Sequence, residues 1–213
     1  MQATDAIFYI VILIMSVVIH EISHGFMAEY YGDKTARFAG RLTLNPIKHL
    51  DLFGSVLLPG LLILTKAPFL FGWAKPVPYN PNNLSDKKWG TIAVASAGIL
   101  ANLFIAVLFG LIIRFAPLFG MTPYDAFSPQ PFYRITFIIV ALNIGLALFN
   151  LIPIPPLDGS KIFFNLLPSS FYAVTNFLER YAFVLIIVFI VFFSDYLYPI
   201  LAFLFHLITG LYL

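Results

Sequence analysis

The chain has 213 residues, of which 61% are hydrophobic and only 10% are charged. Soluble domains carry about 25% charged residues, so this composition excludes a soluble protein and indicates an integral membrane protein. The absence of cysteine excludes disulfides, zinc–thiolate sites and a cysteine nucleophile, and a formal net charge of +2 is too small to indicate nucleic-acid binding.

The first apolar segment, residues 6–29, predicts a transmembrane helix that carries a group of ionisable side chains. His20-Glu21-Ile22-Ser23-His24 fits the pattern H-E-x-x-H. Two histidines four residues apart lie on one face of a helix and can bind one zinc ion, while the glutamate can serve as a general base. Such side chains are costly in a bilayer unless they face a cavity or a metal. The motif therefore indicates a metal hydrolase within the membrane rather than a chance match.

The region near residues 38–80 is expected to be irregular. Residues 54–73 are apolar but interrupted by glycine and proline, which favours a re-entrant segment over a helix that crosses the bilayer. Re-entry keeps the basic residues between the first two spans on the cytoplasmic side, whereas a full crossing, the alternative, would divide them. The alternating residues 41–45 and the loop 70–80 predict short strands that either pair with each other or offer an edge to a substrate.

Two later segments, residues 91–115 and 135–152, are also long enough to span a bilayer. The tail 181–213 is too long for one span and is interrupted by Ser194-Asp195 and Pro199, which predicts two short spans joined by a tight hairpin. The predicted fold is therefore an all-α polytopic membrane protein. It has about five transmembrane helices and a re-entrant or short β segment near residues 38–80, within a single domain over residues 1–213.

A third zinc ligand is expected where the ends of spans 6–29 and 135–152 share one depth. The candidates are His49, Asp51, Asp158 and His206. Asp158 follows three prolines that interrupt the helix, so it either turns toward the metal or caps the next helix. His49 and Asp51 either orient a ligand or belong to an interfacial polar turn. His206 is expected to pack within the bundle.

The chain resembles the site-2 proteases, which are intramembrane zinc metallopeptidases, in their compact form without a PDZ or CBS domain. The resemblance rests on the motif at residues 20–24 and on Asn150…Pro153…Pro155…Asp158-Gly159, which is similar to the family's N-x-x-P-x-P-x-x-D-G pattern. Ser96-Ala97-Gly98…Asn102 and residues 71–78 agree with the family as well. These stretches occur in the family's order along nearly the whole chain.

The resemblance implies that His20, His24 and Asp158 bind one zinc ion and that Glu21 is the catalytic base. Asn150 and Asn102 would steady the substrate or the oxyanion. It further implies an endopeptidase that cleaves transmembrane segments of membrane proteins, in regulated intramembrane proteolysis or in signal-peptide clearance. Its partners would be a substrate helix and the lipid bilayer, without nucleic acid. Independently of the resemblance, the parity of the spans and the clustering of basic residues predict that the active site faces the cytoplasmic side of the cell membrane.

Two other functions compete with this interpretation. A membrane metal-ion transporter could use the His/Glu/Asp cluster as a transit site, but transport predicts polar residues along a path through several spans. Here they gather at one depth, with Asn102 and Asn150 the main additions. A membrane metalloprotease of the prenyl-protein type would need a downstream glutamate ligand, and Glu179 lies in no matching motif.

Overall fold

The computed structural model describes residues 3–57, 61, 64, 74–119 and 131–213. Within these residues all regular structure is helical. The α-helices are α1 (Ala3–Tyr30), α2 (Thr35–Phe38), α3 (Lys87–Phe115), α4 (Pro131–Leu151), α5 (Asp158–Leu166), α6 (Tyr172–Arg180), α7 (Ala182–Phe193) and α8 (Leu197–Thr209). Shorter 3-10 turns occupy Pro46–His49, Pro81–Asn83, Ala116–Phe119, Ser169–Phe171 and Ser194–Tyr196, and a π-helical turn covers Leu52–Leu57.

Four helical stretches of the described chain are long and apolar enough to cross a membrane, which makes this a multi-pass membrane protein. They are Ile7–Tyr30, Lys87–Phe119, Pro131–Leu151 and Ala182–Thr209. The first three confirm the spans predicted at 6–29, 91–115 and 135–152.

The predicted hairpin of two short spans in the tail is wrong. Helix α7 has 12 residues and α8 has 13. Each therefore rises about 18–20 Å, well short of a hydrocarbon core about 30 Å thick. The 3-10 turn between them joins both into one candidate span of 28 residues. The hydroxyl of Ser194 donates to the carbonyl of Ile190 at 2.7 Å, so the preceding helix satisfies this polar residue.

The predicted β segment is also wrong within the described residues, which contain no strand. Residues 74–80 form no regular structure, and Pro76 and Pro78 have no N–H to donate to a sheet. The carbonyls of Lys75 and Pro76 accept instead from the guanidinium of Arg41, at 2.7 and 3.3 Å. The loop residues 70–73 and most of the proposed re-entrant segment 54–73 lie outside the described residues.

Helix α3 is the centre of the bundle and packs against α1, α4, α5 and α8. Its small residues allow close approach, since a β-carbon on Gly110 would overlap the side chain of Ile208 in α8. Between α4 and α1, the amide of Asn143 donates to the hydroxyl of Ser16 at 2.9 Å. Both residues are buried, so this bond links the two spans inside the membrane.

The connection from α1 to α3 begins and ends at the same end of the bundle. The amide of Ser85 donates to the carbonyl of Tyr31 at 2.8 Å, which places the start of α3 beside the end of α1. Helix α4 ends there as well, since Asp158 follows its last residue, Leu151, by seven positions and lies 3.1 Å from His20 of α1. The carboxyl ends of the first and third spans therefore share one depth, as the sequence predicted.

Asp33 joins the loops at this end of the bundle through hydrogen bonds to its carboxylate. Its buried carboxylate accepts from the amide and hydroxyl of Thr35, from the amide of Asn80 at 2.6 Å and from the side chain of Asn83 at 2.9 Å. Burial alone would raise the pKa of Asp33, but these hydrogen bonds outweigh it and hold the pKa below its usual range. The loops that follow α1 and precede α3 are thereby joined.

Candidate metal centre

Three buried side chains from two distant helices converge at this end of the bundle. His20 and His24 lie one turn apart on α1, and Asp158 is the first residue of α5. Oδ2 of Asp158 lies 3.1 Å from Nε2 of His20 and 3.0 Å from Nε2 of His24. One potential ligand atom from each residue lies within 4.8 Å of the other two.

The donor set and its spacing fit a zinc ion. Two imidazole nitrogens and one carboxylate oxygen are common zinc ligands, and tetrahedral bonds of about 2.0–2.2 Å set ligand atoms about 3.4 Å apart. The separations of 3.0 and 3.1 Å around Asp158 Oδ2 are close to that value. All three residues are at most 8% exposed, so a metal would be shielded from solvent on the protein side.

The backbone of α3 fixes the orientation of both imidazoles. Nδ1 of His24 lies 2.7 Å from the carbonyl of Val94, so this nitrogen carries the proton and donates it. Nε2 is then the free lone pair, and it points into the cluster. One turn along α3, a β-carbon on Gly98 would stand 2.6 Å from Cε1 of both His20 and His24. A glycine at this position lets the rings lie directly on the α3 backbone.

The proline-rich turn after α4 delivers Asp158 to the cluster. The chain leaves α4 at Leu151, and Gly159 packs so tightly that a β-carbon would overlap the carbonyl of Leu151. The alternative that Asp158 caps α5 is wrong, because Leu157 is the N-cap and Asp158 lies within the first turn with its carboxylate on the imidazoles.

Glu21 lies next to the cluster and accepts a hydrogen bond from the segment of residues 74–80. Its Oε2 accepts from the backbone N–H of Val77 at 2.8 Å. Gly25 brings this segment close to α1, since a β-carbon there would stand 2.5 Å from Leu42 and 2.9 Å from Val77. Residues 42 and 77 thus flank the motif helix on the side of its glutamate.

Comparison with known proteins agrees with this geometry. The model of Peptidase family M50 matches residues 8–130 and 118–194. The chain belongs to peptidase family M50. This is the family of the site-2 proteases, so the predicted resemblance is confirmed and the protein is a zinc metalloprotease of the M50 family.

Two curated relatives are similar to this M50 protein over much of its length. It is 38% identical over 183 residues to "Putative zinc metalloprotease YwhC" of Bacillus subtilis (strain 168), which covers 85% of this chain and 78% of that protein. It is 31% identical over 147 residues to "Putative zinc metalloprotease Rip2" of Mycolicibacterium smegmatis (strain ATCC 700084 / mc(2)155). That alignment covers 68% of this chain and 52% of the relative. No solved structure matches the chain.

The two asparagines predicted for the M50 site have different surroundings. Asn102 lies one turn beyond Gly98 on α3 and is fully buried, and neither atom of its amide has a hydrogen-bond partner among the described residues. A buried amide in that state is available to a ligand. Asn150 is partly exposed near the end of α4, and its Nδ2 donates to the carbonyl of Leu146 at 3.0 Å.

The other ligand candidates do not join the cluster. Nε2 of His49 lies 2.9 Å from the carbonyl of Thr43, and Asp51 accepts from the amide of Gly54 at 2.7 Å. Both residues therefore stabilise the turn at residues 43–54, as the interfacial interpretation predicted. His206 stacks on Tyr212 with 4.2 Å between ring centroids at the end of α8.

Two contacts of the M50 site were missed by the sequence analysis. Lys161 places its Nζ 3.1 Å from Oδ1 of Asp158, and the amide of Val77 binds Glu21. The position of Lys161, three residues after Asp158 at the start of a helix, was a local signal that could have been used. No local pattern pairs Val77 with a residue 56 positions away.

Proposed function

We propose that this M50 protein is a zinc-dependent intramembrane endopeptidase that cleaves transmembrane segments of membrane-protein substrates. Regulated intramembrane proteolysis and signal-peptide clearance are the two processes that need this activity. The observation that carries the proposal is the buried cluster of His20, His24 and Asp158, built between the first candidate span and the turn after the third. A metal centre in the wall of a transmembrane bundle suits a substrate that also lies in the bilayer.

His20, His24 and Asp158 each contribute one ligand atom to a single zinc ion in this proposal. Three protein ligands leave one coordination position open, which is the arrangement of catalytic rather than structural zinc sites. Zinc bound there supplies Lewis-acid chemistry, which lowers the pKa of a water molecule toward neutrality and polarises the scissile carbonyl. The Val94 carbonyl supports this by keeping the free lone pair of His24 on Nε2.

Glu21 is the proposed general base and acid. Its carboxylate accepts a proton from the attacking water and delivers it to the amine of the leaving peptide. The hydrogen bond from the Val77 amide fixes one carboxylate oxygen, so the other has a defined direction. Such positioning before the reaction is what makes proton transfer efficient.

Asn102 and Asn150 are the proposed donors to the substrate carbonyl. Negative charge develops on that oxygen during hydrolysis, and a side-chain amide aimed at it is worth about 2.7–4 kcal/mol in other hydrolases. The unpartnered and buried amide of Asn102, one turn from Gly98, is the stronger candidate. Asn150 can contribute only after its Nδ2 exchanges the Leu146 carbonyl for the substrate.

The substrate must also be unwound, because the peptide groups of a helix are already hydrogen-bonded to one another. Residues 42–44 are suited to receive an extended chain, and Leu42 lies against Gly25 of the motif helix. Together with Ile19, Ile22 and Phe26 of α1 they line an open cavity of about 360 Å³ with mostly apolar walls. A cavity of that character accepts an apolar side chain, which is what a membrane span offers.

The active site is proposed to face the cytoplasm. Lys34, Lys75 and Lys87 belong to the connections at the end of the bundle where α1 ends and α3 begins, whereas Arg114 and Arg134 lie toward the other ends of α3 and α4. Basic residues are enriched on the cytoplasmic side of membrane proteins. The excess at the site's end of the bundle supports the orientation.

The test is cleavage of a synthetic single-span substrate by the purified full chain in liposomes. The wild type is expected to cut within the apolar segment, and Glu21→Gln is expected to lose at least about a thousandfold in rate while it still binds zinc. Asp195→Asn removes an exposed carboxylate elsewhere and serves as the matched control. Cleavage by Glu21→Gln at the wild-type rate would refute the role of Glu21.

Metal transport is the competing function, and the same liposomes distinguish it. Proteoliposomes loaded with a zinc-sensitive dye would report zinc entry, which the protease proposal does not expect. Transport by both the wild type and Glu21→Gln, without peptide cleavage by either, would favour the transporter.

A further inference from the structure

Lys161 holds the oxygen of Asp158 that does not face the imidazoles. The two carboxylate oxygens have separate partners, because Oδ2 contacts both His20 and His24 whereas Oδ1 lies 3.1 Å from Nζ of Lys161. Both residues lie in the first turn of α5, three positions apart, where side chains on a helix face each other. The bond therefore forms within one helix and does not depend on a distant loop.

The ammonium group of Lys161 is itself confined on a second side. It lies 5.9 Å from the ring centroid of Tyr79, two residues after Val77, whose amide binds Glu21. The Lys161 side chain is 39% exposed, whereas that of Asp158 is 7% exposed. A partly solvated lysine thus covers the outer oxygen of a buried carboxylate, which is a usual arrangement for residues that orient metal ligands.

A carboxylate with two free oxygens can bind a metal through one or through both. Binding through both, with the two imidazole nitrogens and the water that a catalytic zinc site binds, would raise the coordination number from four to five. We propose that Lys161 is a positioning residue that keeps Asp158 Oδ1 out of the metal's coordination sphere, so that Asp158 supplies Oδ2 alone. This inference rests on the proposed zinc site of His20, His24 and Asp158.

The test uses the full chain in detergent with cobalt(II) in place of zinc, because four-coordinate cobalt absorbs visible light much more strongly than five-coordinate cobalt. Lys161→Met removes the donor and keeps a chain of similar length, whereas Lys161→Arg keeps a donor. The wild type and Lys161→Arg are expected to give the strong four-coordinate spectrum. Lys161→Met is expected to give a weaker spectrum and a zinc affinity lower by about tenfold or more in competition with a chelator.

Lys88→Met is the matched control, since it removes an exposed lysine near Trp89 and should change neither measurement. If Lys161→Met does not fold, as judged by circular dichroism, Lys161→Leu, which also lacks a donor, replaces it with the same expectation. A four-coordinate spectrum with zinc affinity within threefold of the wild type overturns the role of Lys161. Asp158→Ala separates the two proposals, because retention of zinc by that variant refutes the proposed metal site itself.

Discussion

Gly98 of α3 lies directly against the imidazole of His20, with room for hydrogen but not for a methyl group. A β-carbon on Gly98 would stand 2.6 Å from Cε1 and 2.7 Å from Nδ1 of that ring. The glycine therefore sets the distance between the helix that carries the motif and the helix that supports it. A substitution of Gly98 therefore tests the proposed metal site as directly as a substitution of one of its ligands.

Gly98→Ala is expected to displace both imidazoles and to destabilise the fold by about 1–3 kcal/mol, since well-packed interiors resist an added methyl group. Zinc content after purification should fall with it. Gly145→Ala is the control, because a β-carbon at Gly145 meets Leu201 at an ordinary 3.5 Å. That variant should be neutral or slightly stabilising. Full zinc content in Gly98→Ala would show that the rings can shift without cost.

Gly159→Ala is expected to be the more damaging substitution. Its β-carbon would overlap the carbonyl and backbone of Leu151, which cannot rotate away as a side chain can. Either α5 moves or α4 unwinds at its end, and both displace Asp158. We expect a loss of about 3 kcal/mol or more in thermal unfolding, again with Gly145→Ala for comparison. A melting temperature within about 2 °C of the wild type would contradict the close packing at this turn.

Asp33→Asn tests the junction of the two loops and its pH dependence. The folded pKa of Asp33 is lowered, so the charged carboxylate adds stability above its unfolded pKa of about 3.9, and this is lost as the pH falls toward the folded pKa. At pH 7 the variant should lose about 2 kcal/mol or more. The difference from the wild type should shrink between pH 5 and 3 in thermal unfolding.

Asp195→Asn is the control for this substitution, since Asp195 is exposed and belongs to the turn between α7 and α8. It should change stability by less than about 0.5 kcal/mol at either pH. A gap between the wild type and Asp33→Asn that stays constant over the same pH range would mean that the charge of Asp33 does not stabilise the fold.

Arg41→Ala is expected to release the segment of residues 74–80 from its position beside Glu21. Arg41 is buried, and its guanidinium binds the carbonyls of Lys75 and Pro76. The amide of Val77, which donates to Glu21, should exchange with deuterium at least several times faster in this variant than in the wild type. Peptidase activity should fall because Glu21 loses a fixed donor. Arg37→Ala, which breaks only an exposed ion pair with Glu29, should leave both unchanged. Equal exchange rates of the Val77 amide in both variants would argue against a role of Arg41 in holding this segment.

The sequence predicted the parts of the site that are coded locally. His20, Glu21 and His24 follow from helical spacing, and Asp158 was a candidate because prolines interrupt the helix before it. The convergence of residues 138 positions apart followed from counting spans, not from any local pattern. This worked because bilayer thickness restricts where each helix can end.

The two wrong predictions, the hairpin in the tail and the β segment, arose where a local sequence pattern is compatible with two backbone conformations. Ser194 and Pro199 interrupt an apolar run, but the chain passes them with a 3-10 turn instead of reversing. The alternation of residues 41–45 suggested a strand, yet strand formation needs a partner with free backbone groups. Lys161 and Val77 were missed because side-chain and backbone partners at the site are determined by tertiary contacts.

The backbone N–H groups of residues 74–80 are mostly absent or already hydrogen-bonded, which restricts how a substrate can approach. Pro76 and Pro78 have no N–H, and the amides of Lys75 and Val77 donate to the carbonyl of His49 and to Glu21. A substrate that paired with this stretch would have to take the amide of Val77 away from Glu21.

The segment thus borders Glu21 while it offers few free donors to a peptide. Pairing of an unwound substrate is directed instead to residues 42–44, whose Leu42 lies against Gly25 on the same side of the motif helix. Since Pro76 and Pro78 cannot donate hydrogen bonds, an unwound peptide is expected to align along residues 42–44. The two prolines thereby determine the side from which a substrate enters.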